Sequence, residues 1–350
     1  MRVGVTGATG FTGGHTLRAL VDAGHTPKAL VRSNDKLTEV CRIHGIDEVD
    51  ATEGTIVDPD AVSAFLADCD AVVHTAAVAF IGAKHRAHIE QTNVPGTITV
   101  LGQAAALGLD PIVHLSSTAA LHPPPGGHYL PDNPLTPSPV GPYATSKVTA
   151  ERFARELQDQ GHPVVIVWPS GITGPDDAGL SVAAEGIARL LRQPFLPLPK
   201  SGGNLMHDVR DLATVLACII EPQRGPRRYG VFGHFIPWDD MGGFLTEVTG
   251  SELTVRRLPD SFFLAMGRVG DLMSHVGVQL PLDHSAARFM TSDGTALVSE
   301  DSLLLESGWP EPPAVPEAVW HRYLAASLFI VVLAWAAGRR LPAGLLARAW

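Results

Sequence analysis

The chain has 350 residues, enough for two domains or for one large domain with a smaller lobe. Hydrophobic residues make up 45% of it and charged residues 18%, which provides a sizeable core and excludes a disordered chain. The formal net charge of −10 argues against general nucleic-acid binding.

Cysteine and histidine usage predicts neither disulfides nor a metal site. Cys41, Cys69 and Cys218 are scattered and odd in number, as in proteins of a reducing compartment. The close pair His85-x-x-His88 has no third ligand nearby, so a solvated helix face is the better interpretation. Because the first strand begins by residue 3, with no signal peptide before it, we expect a cytoplasmic protein.

The first element is an apolar strand that starts at Val3 and leads into Gly7, Gly10 and Gly13. A helical pattern follows directly, so the glycines form a turn between a strand and a helix. Such a turn cradles a pyrophosphate, because one glycine permits the tight bend, one permits close backbone approach and one lets helix pack on strand. The positive end of the helix dipole faces the phosphates. Thr9 and Phe11 of the same turn are also predicted cofactor contacts.

The first helix is expected to end near Gly24, and residues 27–31 are predicted as the second strand. The residue after that strand meets the adenosine ribose in dinucleotide-binding folds. An acidic residue there favours NAD, whereas an arginine accommodates the 2′-phosphate of NADP. Arg32 occupies this position, so we predict a preference for NADP. The alternatives are that the cofactor is NAD and that Arg32 is only a solvated loop charge.

The next elements are a third strand within residues 47–58 and a buried strand at 71–77, which ends in the small residues Ala76 and Ala77. Asn93-Val-Pro-Gly-Thr is predicted to open a helix that runs to about Leu107. The Asn93 side chain is either part of the active site or a helix cap.

The strand at 112–115 delivers Ser117 and Thr118 at its carboxyl end, the edge where parallel sheets bind ligands. Eight prolines in residues 121–142 predict a rigid loop without regular structure. Tyr143-Ala-Thr-Ser-Lys147 ends this loop and opens a helix through about residue 157. Residues i and i+4 share a helix face, so the phenol and the ammonium point into one site. A surface Tyr–Lys pair is the alternative.

These motifs, in this order, resemble the extended short-chain dehydrogenase/reductase family, nearest to dihydroflavonol reductases and 3β-hydroxysteroid dehydrogenases. The resemblance implies an α/β, Rossmann-type doubly wound parallel sheet with a smaller C-terminal substrate lobe. It also implies that Ala76 and Ala77 pass near the nicotinamide half, that Asn93 supports the active site, and that Pro169 contacts the cofactor. The chain departs from the family pattern at three positions. These are Thr55 where Asp is common, Trp168 where Arg is common, and Thr173 where Tyr is common.

From these features we predict a division into three parts. Residues 1–168 form the dinucleotide-binding domain, whose sheet is completed by part of 205–235. Residues 169–323 form the substrate lobe, and 324–350 form an apolar tail.

The predicted activity is that of an NADP-preferring oxidoreductase acting on a carbonyl or secondary alcohol. A phenol next to an ammonium is suited to proton transfer near neutral pH. Tyr143 would exchange the proton, Thr118 or Ser117 would bind the carbonyl oxygen, and Lys147 would also hold the nicotinamide ribose. The apolar composition of the lobe suggests a small apolar substrate, such as a sterol, a lipid or a flavonoid-like ketone.

Two other functions stay open. A sugar-nucleotide epimerase or dehydratase of the same family is one, although similar dehydratases carry Asp-Glu where this chain has Ala119-Ala120. A non-catalytic nucleotide-binding sensor or assembly subunit is the other, although such relatives usually lose the Tyr or the Lys.

The tail contains a charge-free run at 324–338, flanked by Arg322 on one side and by Arg339 and Arg340 on the other. As a helix this run would be about 22 Å long, shorter than the roughly 30 Å hydrocarbon core of a membrane. We predict an apolar C-terminal helix that contacts a membrane, with packing on the protein or across a homodimer as the alternative.

Overall fold

The computed structural model describes residues 1–79, 85–127, 129–130, 132–177, 195–249, 254–275, 282 and 284–291. It divides into two compact units. The described part of the first unit is Met1–Ser170 with Arg210–Phe232, and that of the second lies within Gly171–Val209 and Gly233–Thr295. The predicted C-terminal helix at 324–350 lies outside the described residues.

The strands, numbered in chain order, follow. They are β1 Arg2–Thr6, β2 Thr26–Val31, β3 Asp50–Glu53, β4 Ala71–His74, β5 Ile112–Leu115, β6 Val164–Pro169, β7 Gly171–Thr173, β8 Leu196–Pro199, β9 Gly203–Asp208, β10 Arg227–Val231, β11 His234–Pro237 and β12 Val255–Leu258. The α-helices are α1 Phe11–Asp22, α2 Asn34–His44, α3 Pro59–Leu66, α4 Arg86–Leu107, α5 Gly141–Asp159, α6 Val209–Cys218, α7 Trp238–Thr249, α8 Asp260–His275 and α9 His284–Met290.

The first unit is built on a seven-stranded sheet in the order β10-β6-β5-β4-β1-β2-β3. Every neighbouring pair in it is parallel. The strands β4 to β6 are buried along their whole length, as expected for a sheet covered by helices on both faces. The strand order reverses between β1 and β4, and ligands bind at the carboxyl ends of the strands at such a point. The predicted doubly wound sheet is therefore confirmed.

The helix and strand ends differ from the sequence-based expectation in three places. The third strand is shorter than predicted and consists of β3 alone. Helix α4 already begins at Arg86, so Asn93 lies inside it, and Pro95 is accommodated within the helix rather than near its start. Helix α5 begins at Gly141, which places Tyr143 in its first turn. In the described residues of the proline-rich loop before α5 there is a short 3₁₀ turn, Pro125–Gly127.

The second unit contains two small sheets. One has the order β11-β9-β7, and the other pairs β12 with β8. Helices α7 to α9 belong to the same unit, and the Trp238 indole N–H donates to the main-chain oxygen of Met290 at 2.7 Å. Among the described residues, no helix combines the length and the apolar character needed to cross a membrane.

Candidate active site

Two glycines of the turn between β1 and α1 have no room for a side chain. Gly7 has a φ of +73°, and a Cβ there would come within 2.8 Å of the main-chain nitrogen of Ala76. A Cβ at Gly13 would overlap the carbonyl oxygen of Gly7. The glycines therefore let the chain turn tightly and let α1 start directly against the end of β1.

The N-terminus of α1 is suited to an anion. Gly10 is its N-cap, and within the described residues no side chain caps this end and no acidic residue lies in the first turn. The Gly10 N–H donates to the Gly7 oxygen at 2.9 Å, which closes the turn. The remaining N–H groups of the first helical turn, together with the helix dipole, suit a phosphate. Thr9 and Phe11 flank Gly10 and are both partly exposed.

The end of β4 is tied to the same turn. The Thr75 hydroxyl donates to the Thr6 main-chain oxygen at 2.7 Å, and the Ala76 N–H donates to the Thr6 hydroxyl at 3.3 Å. Ala76 and Ala77 are partly exposed, and Ala76 lies directly beside Gly7. Because both residues are small, a dinucleotide lying on the glycine turn has space to continue past β4.

Arg32 directly follows β2 at the carboxyl edge of the sheet and is exposed. Glu53 ends the neighbouring strand β3, in register with Val31. The amide of Asn34 donates to the Glu53 carboxylate at 3.4 Å. This edge of the sheet thus carries both the cation of Arg32 and the carboxylate of Glu53, so the preference for NADP over NAD stays a prediction.

Tyr143, Ser117 and Lys147 are brought together at the carboxyl end of β5. The Ser117 hydroxyl lies beside the Tyr143 phenol. The ammonium of Lys147 lies 5.9 Å from the centre of the Tyr143 ring and donates to the Leu115 main-chain oxygen at 2.8 Å. Lys147 is buried, with 6% of its surface exposed, whereas Ser117 and Tyr143 are partly exposed.

Ser117, rather than Thr118, is the hydroxyl beside the phenol. Thr118 begins a 3₁₀ turn, Thr118–Ala120, and is buried. Ser117 caps this turn, and its hydroxyl accepts from the Ala119 N–H at 3.2 Å. The sequence left the choice between these two residues open, and the geometry favours Ser117.

Asn93 is buried in the middle of α4 and holds two segments together. Its amide oxygen accepts from the Val78 N–H at 2.7 Å, and its amide nitrogen donates to the Val78 carbonyl at 3.1 Å. The same nitrogen donates to the Ser146 hydroxyl at 3.0 Å, which in turn donates to the Tyr143 carbonyl at 2.8 Å. Asn93 therefore does not cap a helix. It links the loop after β4 to the first turn of α5.

Burial dominates the acid–base properties of the site. It raises the pKa of Tyr143, and the Ser117 hydroxyl opposes this rise. Burial lowers the pKa of Lys147 to about 8, and the Glu151 carboxylate opposes that fall. In this structure the ammonium of Lys147 is bonded to the Leu115 carbonyl, and Ser117 is the side chain that opposes the rise in the pKa of Tyr143.

The remaining predicted contact, Pro169, is the last residue of β6 and is buried at the carboxyl edge.

Sequence reasoning missed Ser146 and Glu151. Both are buried on α5, Ser146 three residues after Tyr143 and Glu151 four residues after Lys147, and these helical spacings were the available signal. Trp168 was noted only as a departure, whereas its indole contacts Glu151.

The reversal of strand order, the glycine turn and the uncapped start of α1 define a Rossmann-type dinucleotide-binding domain. Residues 3–231 match the NAD dependent epimerase/dehydratase family, and the chain belongs to this family.

Several relatives are reductases by name. A protein from Synechocystis sp. whose name places it with the dihydroflavonol 4-reductases is 32% identical over 211 residues, which cover 60% of each chain. The 4-hydroxy-2-methyl-3-oxo-4-farnesyl-3,4-dihydroquinoline-1-oxide ketoreductase of Stigmatella aurantiaca is 29% identical over 231 residues, 65% of this chain and 66% of that one. The 2-alkyl-3-oxoalkanoate reductase of Stenotrophomonas maltophilia is 31% identical over 207 residues, 58% of this chain and 60% of that one. The chain thus spans less than two thirds of the length of these relatives.

Solved structures of the same fold include NAD complexes. The UDP-glucose 4-epimerase of Bifidobacterium longum, in complex with NAD+ and UDP, superposes with a TM-score of 0.67 at 17% identity. That match covers 97% of this chain and 99% of the epimerase. At this level of identity the likeness establishes the fold and nothing finer.

Proposed function

We propose that the protein is an oxidoreductase that transfers a hydride between a nicotinamide, with NADP preferred, and a carbonyl or secondary alcohol of an apolar substrate. The observation that carries this proposal is the cluster of Tyr143, the neighbouring Ser117 hydroxyl, and the buried ammonium of Lys147 one helical turn away. All three lie at the edge of the sheet where the family binds its cofactor.

The residues present fit a dinucleotide. The turn formed by Gly7, Gly10 and Gly13 would hold the pyrophosphate. A Cβ at Gly7 or at Gly13 would clash with neighbouring backbone atoms, so the turn needs these glycines. Arg32 would meet the 2′-phosphate, and Lys147 has ammonium hydrogens left for the ribose after its bond to Leu115. Ala76, Ala77 and Pro169 would border the nicotinamide half. The bound nicotinamide supplies or accepts the hydride.

The protein groups then handle the proton. In the reductive direction the Ser117 hydroxyl donates a hydrogen bond to the carbonyl oxygen and so orients it beside Tyr143. The Tyr143 phenol gives its proton to that oxygen, and the positive charge of Lys147 stabilises the resulting phenolate. In the oxidative direction the same proton moves back from the alcohol to the phenolate.

An apolar substrate is supported by two observations. Helix α8 exposes Phe262, Met266 and Leu272, which provides apolar surface on the second unit. Two relatives are named for ketones that carry a farnesyl or an alkyl group. We propose a ketone of this type rather than a nucleotide sugar.

We also propose that the tail at 324–350 brings the protein to a membrane, where apolar substrates dissolve. The charge-free run at 324–338 and the arginines on either side of it support this proposal. Packing of the tail across a homodimer is the alternative.

The test is oxidation of NADPH with a panel of farnesylated, alkylated and sterol ketones, run beside UDP-glucose as an epimerase substrate. Tyr143→Phe is expected to lower kcat by about 10²–10⁴-fold while cofactor affinity changes little. Tyr129→Phe is the matched control, because it removes a buried phenol whose hydroxyl is bonded to His122 instead. Isomerisation of UDP-glucose without net oxidation of NADPH, or a Tyr143→Phe variant with wild-type turnover, would contradict the proposal.

A further inference from the structure

Glu151 is a fully buried carboxylate in the middle of α5. One of its oxygens accepts from the Ser116 hydroxyl at 2.5 Å and from the Trp168 indole N–H at 2.7 Å. The other accepts from two nitrogens of Arg155, at 2.9 and 2.7 Å. A carboxylate has acceptor sites for all four donors, whereas a protonated acid would turn a hydrogen toward one of them.

The donors hold the carboxylate in place, and one of them is a cation that forms an ion pair with it. Ser116 and Trp168 are neutral, and they lie on or just after two neighbouring strands of the central sheet. Arg155 is a cation, but it is shared, since it also donates to the Asn133 carbonyl at 3.0 Å and stacks 5.8 Å from the Trp168 ring. Arg228 on β10 is a second cation within electrostatic reach of the carboxylate.

Lys147 lies one helical turn before Glu151 on the same helix and is buried, with its ammonium bonded to the Leu115 carbonyl. Burial, and after it the positive charge of Lys147, lowers the pKa values of His74 on β4 and His114 on β5, so both rings are neutral. Burial also lowers the pKa of Lys147, to about 8. Among the described residues, Glu151 is the group whose charge opposes this fall.

We propose that Glu151 is a positioning residue that keeps Lys147 charged at neutral pH and thereby sets the pH range in which the site holds its nicotinamide cofactor. Ser116 and Trp168 fix the carboxylate one turn from the ammonium. The inference rests on the proposed function, because it assigns Lys147 to the cofactor ribose. It does not depend on which substrate is reduced.

The test measures NADPH affinity by nicotinamide fluorescence between pH 6 and pH 10, so it needs no turnover. Wild-type affinity is expected to fall as the pH rises through about 8, where Lys147 loses its proton. In Glu151→Gln the carboxylate no longer supports the ammonium. The fall is then expected about one pH unit lower, with affinity at pH 8 reduced several-fold and affinity at pH 6 nearly unchanged. Glu156→Gln, an exposed position of the same helix, is the matched control and is expected to follow the wild type.

A second variant covers the case in which Glu151→Gln does not fold. Glu151→Gln combined with Arg155→Gln removes both charges of the ion pair, so no buried cation is left unpaired, and the same shift is expected. Glu151→Asp keeps the charge and is expected to restore most of the wild-type pH profile.

The inference is overturned if the variants lose stability while their pH profiles match the wild type, or if wild-type affinity does not change between pH 6 and pH 10. Binding that follows the expected profile, in a protein that reduces no ketone, would contradict the proposed function and leave the inference intact. Failure of the wild type to bind either NADPH or NADH would overturn both.

Discussion

Asn93 and Tyr143 are connected through a single hydroxyl, that of Ser146. The Asn93 amide donates to the Ser146 oxygen at 3.0 Å, and Ser146 donates to the Tyr143 main-chain oxygen at 2.8 Å. The backbone of the helical turn that carries the Tyr143 phenol is therefore bonded, through Ser146, to Asn93 of α4. The same amide fixes Val78, which follows the small residues at the end of β4.

This connection predicts a loss of both activity and stability in Asn93→Ala. We expect kcat to fall about 10- to 100-fold, because Tyr143 is no longer held against Ser117. We also expect about 1–3 kcal/mol of lost stability, since the buried N–H and C=O of Val78 lose their partner. Ser146→Ala is the companion variant, which removes the link to Tyr143 but keeps the bonds from Asn93 to Val78. It is expected to lower kcat with a smaller change in the urea midpoint. Unchanged kcat in both variants would show that Asn93 serves packing alone.

The exposed Arg32 predicts the cofactor preference. NADPH is expected to bind more tightly than NADH, and Arg32→Asp is expected to reverse the order. A charge-assisted contact of Arg with phosphate contributes about 1.5–3 kcal/mol, which corresponds to about ten- to a hundredfold in Kd. Arg42→Asp, at the other end of α2, makes the same charge change away from the ribose. Fluorescence titration of both nucleotides decides the point, and equal wild-type affinities would count against a role for Arg32.

Buried neutral histidines predict a loss of stability in acid. Burial lowers the pKa of His74 to about 3 and that of His207 to about 4, and the pKa of His114 is also well below its ordinary value. At a pH between those pKa values and about 6.5, these histidines bind protons in the unfolded chain but not in the folded protein. This contribution to stability is therefore fully present above about pH 6.5 and is lost as the pH falls below it, by up to about 1.4 kcal/mol per pH unit for each histidine.

The variant His114→Leu isolates one of these groups. Among the described residues neither ring nitrogen of His114 has a hydrogen-bond partner, so its replacement leaves no donor or acceptor stranded. Urea unfolding between pH 4.5 and pH 7.5 is expected to show a shallower loss of stability in acid, by about 1 kcal/mol per pH unit. His88→Leu, at an exposed position of α4, is the control. Equal slopes in all three proteins would mean that His114 takes up a proton in the folded state.

Residues 324–350 predict association with membranes. The full chain is expected to float with lipid vesicles, because the run at 324–338 carries no charge and arginines flank it. A variant that ends at Tyr323 is expected to remain at the bottom of the gradient, apart from the vesicles, and to keep its NADPH affinity. Vesicle flotation measures both proteins side by side, and size-exclusion chromatography detects a dimer. A full-length protein that neither floats with vesicles nor dimerises would exclude both uses of the tail.

Short-range spacing was sufficient for much of the first unit. Three glycines directly after an apolar strand predict a strand, a turn and a helix, and the structure has β1, the turn at Gly7 and α1 in that order. The predicted parallel sheet and the family are confirmed as well. The strands and helices could be predicted because strands repeat every 2 residues and helices every 3.6, and a sequence displays these periods directly. For the same reason, the spacing of Tyr143 and Lys147 was enough to predict that they share one face of a helix.

Only the tertiary structure decided which side chains meet across the sheet edge. Ser117 rather than Thr118 faces Tyr143, because a 3₁₀ turn begins at Thr118 and buries it. Asn93 and Ser146 are separated by 53 residues, and Ser116 and Glu151 by 35, yet both pairs are hydrogen-bonded. Their contacts are set by how α4 and α5 pack beside the parallel strands, and packing between distant segments leaves no period in the sequence. Spacing along the chain therefore indicated the glycine turn, Tyr143 and Lys147, whereas the packing of α4 and α5 decided that Ser146 and Glu151 join them and which side chains touch.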